Sequence, residues 1–98
     1  MEIEFHPDAV LELREATLYY QTQQVGLGER FLSTIQETLT RISNFPESYP
    51  VVTSNIWQCK VSHFPYAIVY RVQVNFVQII ALAHSRRQPL YWSGRSKR

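Results

Sequence analysis

Phe76-Val77-Gln78-Ile79-Ile80-Ala81-Leu82-Ala83 is apolar at every position but one. A short run of this kind reads as a strand covered on both faces, the centre of a sheet. Upstream, Ile68, Tyr70 and Val72 alternate with more polar neighbours, and Asn75 marks a tight turn between the two runs. Phe64-Pro65-Tyr66 interrupts the pattern, since Pro65 has no ladder donor to offer. Before it, from Ile56, the period is again two. Trp57, Cys59 and Val61 point one way, and Gln58, Lys60 and Ser62 the other.

The first half carries a different period. Ile3 and Phe5 alternate with Glu2 and Glu4 and predict a short first strand. Pro7 suits the first position of a helix, with Asp8 near the positive end of its dipole and His6 placed to cap it. Val10, Leu13, Thr17 and Tyr20, with Ala9 and Ala16 beside them, predict an amphipathic helix to about Gln24, with Glu12, Arg14 and Glu15 off the apolar stripe. Gly26-Leu27-Gly28 reads as a break. Phe31, Leu32, Ile35, Leu39 and Ile42 predict a second helix, stopped by Asn44 and Pro46. Residues 44–55, with Pro46, Ser48, Pro50 and Ser54, read as a loop. The expected fold is α+β, order β-α-α-β-β-β. One domain spans 1–98, an antiparallel sheet with an N-terminal helix hairpin packed on one face.

Charge divides at the same place. Residues 1–50 hold all eight acidic residues and three of the ten basic ones, a balance of −5; residues 51–98 hold the other seven basic residues and no acid, which returns the net +2. The second half is therefore expected to face an anionic partner, nucleic acid or acidic peptide. At the very end Arg95, Lys97 and Arg98 read as a solvated basic tail. The single cysteine, Cys59, can form no disulfide within the chain, and no spacing joins it to His6, His63 and His84 as a zinc site. No metal or other cofactor is expected. The opening Met1-Glu2-Ile3-Glu4 is acidic where a secretory signal would be basic, and no run reaches the roughly 20 apolar residues of a membrane span, so the expected location is cytoplasmic.

Three stretches together resemble the RelE/ParE toxins of type II toxin–antitoxin systems, also called plasmid-stabilisation proteins. They are the Ala9…Leu13…Ala16…Tyr19-Tyr20 helix with Gly28…Phe31 after it; Phe64-Pro65-Tyr66-Ala67-Ile68-Val69-Tyr70; and residues 79–92, IIALAHSRRQPLYW. The likeness runs nearly end to end. It implies the same fold and a ParD-like or RelB-like antitoxin partner, whose disordered acidic segment would suit the basic half. It also implies one of two activities. RelE-like members cut messenger RNA on the ribosome; ParE-like members bind DNA gyrase.

RNA cleavage through the 2′-hydroxyl needs a base, an acid and cations for the charged phosphorane. His84 could move the proton, Arg87 could hold phosphate, and Tyr91 could supply a hydroxyl or stack on a base. The structural reading stands beside each. A histidine ending a buried strand is more often a hydrogen-bonded fixture than a catalyst, His63 reads as a loop residue, and Tyr91 and Trp92 are expected to pack the tail onto the fold. Arg71 could pair with an acidic residue of a helix. Two departures weigh against a nuclease. The net charge is small, and the chain runs 14 residues past His84 with no carboxylate after Glu47. The favoured expectation is a ParE-like gyrase binder. Arg71, Arg86, Arg87, Tyr91, Trp92 and Arg95 are its candidate target- or antitoxin-binding residues, with Trp57 and Tyr66 as further aromatic surface, because aromatics and arginine dominate binding hot spots. With no helix-turn-helix pattern, DNA is expected to be contacted only through the antitoxin.

Overall fold

The computed structural model describes residues 1–96. Lys97 and Arg98 of the expected basic tail lie outside the described residues. Strand β1 (Glu2–Phe5) leads into helix α1 (Pro7–Gln23), and α2 (Leu27–Asn44) returns antiparallel to it. Then come β2 (Val51–Thr53), β3 (Ile56–Lys60), β4 (Tyr66–Val72) and β5 (Phe76–His84), and last a 3-10 turn, Ser93–Ser96.

α1 starts as its sequence suggests. Pro7 fills the first turn, and the Nδ1 of His6 accepts the Asp8 N–H at 3.0 Å, satisfying a donor with no partner inside the helix. Its buried stripe is Ala9, Leu13, Ala16 and Tyr20; Val10 turns outward and is 36% exposed. The break between the helices is narrower than Gly26-Leu27-Gly28. Only Gly26, at φ 83°, takes the left-handed backbone that favours glycine, and α2 begins at the next residue. Gly28 sits inside α2 for a different reason. A Cβ there would come within 3.0 Å of Gln21 Cγ and 3.1 Å of the Thr17 carbonyl oxygen, so its bareness lets the two helices close up.

The sheet order is β1-β5-β4-β3-β2, with β5 between β4 and β1. Strands β2 to β5 are joined by short turns and pair antiparallel, as hairpins must. β1 runs parallel to β5, with Ile3 opposite Val77 and Phe5 opposite Ile79. Residues 6–75 separate these two strands, so no hairpin dictates their direction, and the sheet is mixed at this edge alone. β2 occupies three residues of the expected loop. A two-residue turn, Ser54-Asn55, with Asn55 at φ 58°, folds it back on β3.

Both faces of the central strands are covered. Toward the helices, Val77, Ile79, Leu82, Ile68, Tyr70 and Cys59 pack with Phe31, Ile35 and Ile42. Toward the other side, Ile56, Val69, Ile80 and Ala81 pack under Trp92, which is 4% exposed. A bulge opposite the Val69–Tyr70 step leaves Ile80 as an extra residue, so that the consecutive Ile80 and Ala81 both face the Trp92 side while Ile79 and Leu82 face the helices. Tyr70 buries its hydroxyl by donating to the Pro46 carbonyl at 2.6 Å, which ties the loop after α2 to the sheet. No helix among the described residues is long and apolar enough to cross a membrane.

Candidate functional site

Strand β5 ends at His84, and the chain from Ser85 to Trp92 folds over the sheet face that the helices leave open. This strap starts as a turn. The Ser85 N–H donates to the Pro65 carbonyl at 2.8 Å and the Arg87 N–H to the His84 carbonyl at 3.0 Å. Nδ1 of His84 accepts the Arg86 N–H at 3.0 Å, and its ring meets the Tyr66 ring edge-on, 5.0 Å between centroids. His84 is thus a turn-former with one nitrogen engaged, which leaves Nε2 to meet a ligand. Arg86 and Arg87 are exposed. The Arg87 guanidinium carbon lies over the Tyr91 ring, 3.7 Å from its centroid.

Tyr91 in turn is fixed from below. Its hydroxyl donates to Glu12 Oε2 at 2.7 Å. Burial pushes this hydroxyl's pKa up, and the neighbouring Glu12 carboxylate pushes it further. Glu12 reaches up from α1 and accepts three more bonds. The Leu82 N–H comes to Oε1 at 3.0 Å, and Arg95 grips both oxygens, Nη1 at 3.0 Å and Nη2 at 2.9 Å. Burial alone would raise the Glu12 carboxyl's pKa, but the Arg95 and Tyr91 hydrogen bonds and the Leu82 N–H outweigh it and hold it below the ordinary carboxylate range. Arg95 also donates to the Ile80 carbonyl at 3.1 Å and lies 3.6 Å from Asp8.

Arg95 therefore departs from the tail expectation. Its side chain is 16% exposed and committed to Glu12, so it is not part of a solvated tail. Glu12, read as a solvent-facing residue off the apolar stripe, is the group the sequence reading missed. An acidic residue between Leu11 and Leu13 carries no local sign that a tail some 80 positions away will return to it. Trp92 and Tyr91 pack the tail onto the fold, as expected.

Arg71 is placed apart. In the β4–β5 ladder Arg71 lies opposite Gln78 and Tyr66 opposite His84, five residues apart on β4, about 17 Å along the strand at 3.3 Å per residue. Its Nη2 donates to Gln78 Oε1 at 3.1 Å, and with the Gln73 amide turned to suit, Nε donates to Gln73 Oε1 at 2.8 Å. These amides, rather than an acidic helix residue, receive it, because Arg71 shares the strap-side face of the sheet with Gln78. The structure brings His84, Arg86, Arg87, Tyr91 and Trp92 together and leaves Arg71 out.

Between the strap and the β3–β4 hairpin runs a groove of about 520 Å³, lined by Val52, Pro65, Ala67, Leu90 and Tyr91 with Lys60 and Arg87 at its rim. Among the described residues no carboxylate lines it. An apolar floor with a cationic rim suits an amphipathic acidic segment. Trp57 lies on the opposite, helix-side face, stacked on Tyr70 with centroids 6.2 Å apart. Cys59 is buried, and burial raises its thiol's pKa against the opposing pull of Arg41. His63 sits in the turn before Phe64 at φ 68°. Among the described residues no group of three or more His, Cys, Asp or Glu side chains could hold a metal ion.

Comparison with known proteins adds two findings. A family model described as the ParE toxin of the type II toxin–antitoxin system parDE matches residues 3–89. Among solved structures, a chain of the chromosomal ParDE TA system from P. aeruginosa is similar with a TM-score of 0.62 at 16% identity, covering 86% of this chain and 95% of that chain. At that identity the likeness speaks for the fold. No curated protein sequence gives a significant match.

Proposed function

Because the chain belongs to the family of ParE toxins of type II toxin–antitoxin systems, we propose that it arrests growth by binding DNA gyrase and that a cognate ParD-like antitoxin neutralises it. The strap is the recognition element of this reading. Arg86 and Arg87 are exposed cations, and Arg87 is held in place on the Tyr91 ring. Such an arrangement suits contact with an anionic macromolecular surface, where arginine and aromatic residues contribute most.

The observation that carries binding over cleavage is the engaged Tyr91 hydroxyl. RNA hydrolysis by His84, Arg87 and Tyr91 would need a proton-transfer pair facing the substrate. Here the hydroxyl is donated to Glu12, and its pKa is raised away from neutrality. The Glu12 carboxylate is itself filled by its donors. His84 and Arg87 share a shallow cleft with Glu12 and Glu15, but among the described residues no hydrogen bond or ion pair joins either of them to a carboxylate, which favours a contact role for both. The groove beside the strap, with no carboxylate in its lining among the described residues, is where an acidic antitoxin segment would lie.

Two assays on the purified toxin separate the readings. Gyrase supercoiling should stop while ribosome-bound messenger RNA stays whole. Cut RNA with normal supercoiling would replace this proposal with the nuclease reading, and His84, Arg87 and Tyr91 would become its active-site candidates.

A further inference from the structure

We propose that Glu12 is a positioning residue for target recognition: it fixes the strap through Tyr91 so that Arg87 is presented in one orientation. The proposal rests on the binding reading above, with the strap as the recognition element.

Glu12 joins three segments at one point, beside the ties that Arg95 makes to Ile80 and Asp8 and the longer one from the Tyr91 hydroxyl to the Leu82 carbonyl. Its oxygens take one bond from β5, one from Tyr91 and two from Arg95, so that α1, the central strand and both ends of the strap's last turn meet on one carboxylate. Four accepted bonds use about all the acceptor capacity of a carboxylate. A group so filled has nothing left with which to touch a ligand, and its effect must travel through what it holds. What it holds is the Tyr91 ring, gripped at its hydroxyl and carrying Arg87 on its face, with the Arg95 guanidinium 5.3 Å from the centroid. Arg87 makes no ion pair with a carboxylate among the described residues, so the Tyr91 face is its support.

The backbone between these anchors is strained. Leu90 sits at φ 62°, in the left-handed region that a leucine rarely adopts. Such a conformation persists where its surroundings over-determine it. Leu90 itself is half exposed, so its own packing does not impose the turn; Tyr91 and Trp92, tied to Glu12 and to the sheet, do. If the Glu12 tie is loosened, the strap relaxes and Arg87 loses its fixed direction.

The test is a double-mutant cycle on the full chain. Glu12→Gln keeps the shape but turns an amide N–H toward the donors of Leu82 or Arg95. Supercoiling inhibition by Glu12→Gln is expected to weaken about tenfold or more, as for loss of a hot-spot arginine, and so is that by Arg87→Ala. The double variant should be no weaker than Arg87→Ala alone, because the two act through one guanidinium. Trp92 emission, read in a Trp57→Phe background, should shift to the red in Glu12→Gln. Tyr91→Phe cuts the tie while keeping the ring, and carries the same test should Glu12→Gln fold poorly. Wild-type potency in Glu12→Gln, or a full further loss on adding Arg87→Ala, would overturn the positioning role. Failure of the gyrase reading looks different: the wild type spares supercoiling yet still stops growth. The same cycle, scored on growth arrest in cells, then tests Glu12 whatever the target.

Discussion

Trp92→Ala tests whether the strap belongs to the cooperative core. The indole is 4% exposed and packs on Ile56, Val69, Ile80 and Ala81. A buried tryptophan removes about 200 Å² from water, worth about 5 kcal/mol at 25 cal/mol per Å². The denatured chain already hides about 10–40% of such area, and the strap can settle partly into the space. The expected loss is about 3–4 kcal/mol, at the lower end of the usual range for tryptophan truncation in a core. In a domain of this size that lowers Tm by at least about 12 °C. Urea unfolding followed by far-UV circular dichroism measures it directly, with an unchanged m value showing that the same surface is exposed. A loss under about 1 kcal/mol with m unchanged would refute the reasoning. The strap would then be a loosely docked flap over the sheet, and the claim that it is held rigid for recognition would fall with it.

Other predictions follow from the same geometry. Gly28→Ala forces a methyl against Gln21 and the Thr17 carbonyl, and should cost about 1–3 kcal/mol by overpacking the helix hairpin; a neutral or stabilising result would show that the two helices can part without penalty. Glu12's carboxyl is held below its ordinary range, so its contribution is fully present above the unfolded value, about 4.3, and is lost as pH falls through the folded one. Trp92 emission in the Trp57→Phe chain should therefore move in acid and be flat there in Glu12→Gln; identical acid profiles for both would remove Glu12 from the transition. With Lys60 and Arg87 on a groove that no carboxylate lines among the described residues, antitoxin affinity should fall as salt rises, and an affinity independent of salt would contradict that account. The His84→Ala, Arg87→Ala double variant should lose growth arrest while keeping its fold, and full toxicity would sink both contact roles.

The helices and the central strand were legible because their signals are local. The three-and-four spacing of Phe31, Ile35, Leu39 and Ile42 and the unbroken apolar run from Ile79 to Ala83 each describe their own surroundings. The cluster of His84, Arg87, Tyr91 and Trp92 was legible for a related reason, since nine positions can hardly avoid one another. What escaped depends on distant partners. β1 runs parallel because of where β5 lies, and β2 exists because Ser54-Asn55 folds three residues onto β3 between two prolines. Glu12 looked solvated and Arg95 looked like tail until they met across 83 positions. Arg71 shares the strap-side face but lies farther along the ladder from His84, a separation that only the register shows.

The place of β5 also sets when the molecule can exist during its own synthesis. A nascent chain ending before Phe76 has the helix hairpin and the β3–β4 hairpin, but the strand that both β1 and β4 pair with has not been made. The last anchors, Tyr91, Trp92 and Arg95, come later still. Non-local pairing of this kind cannot begin until both partners have emerged. The strap over the open sheet face thus reaches its anchored form only after Arg95 has been made, and a partner already present in the cell meets it in that form no earlier.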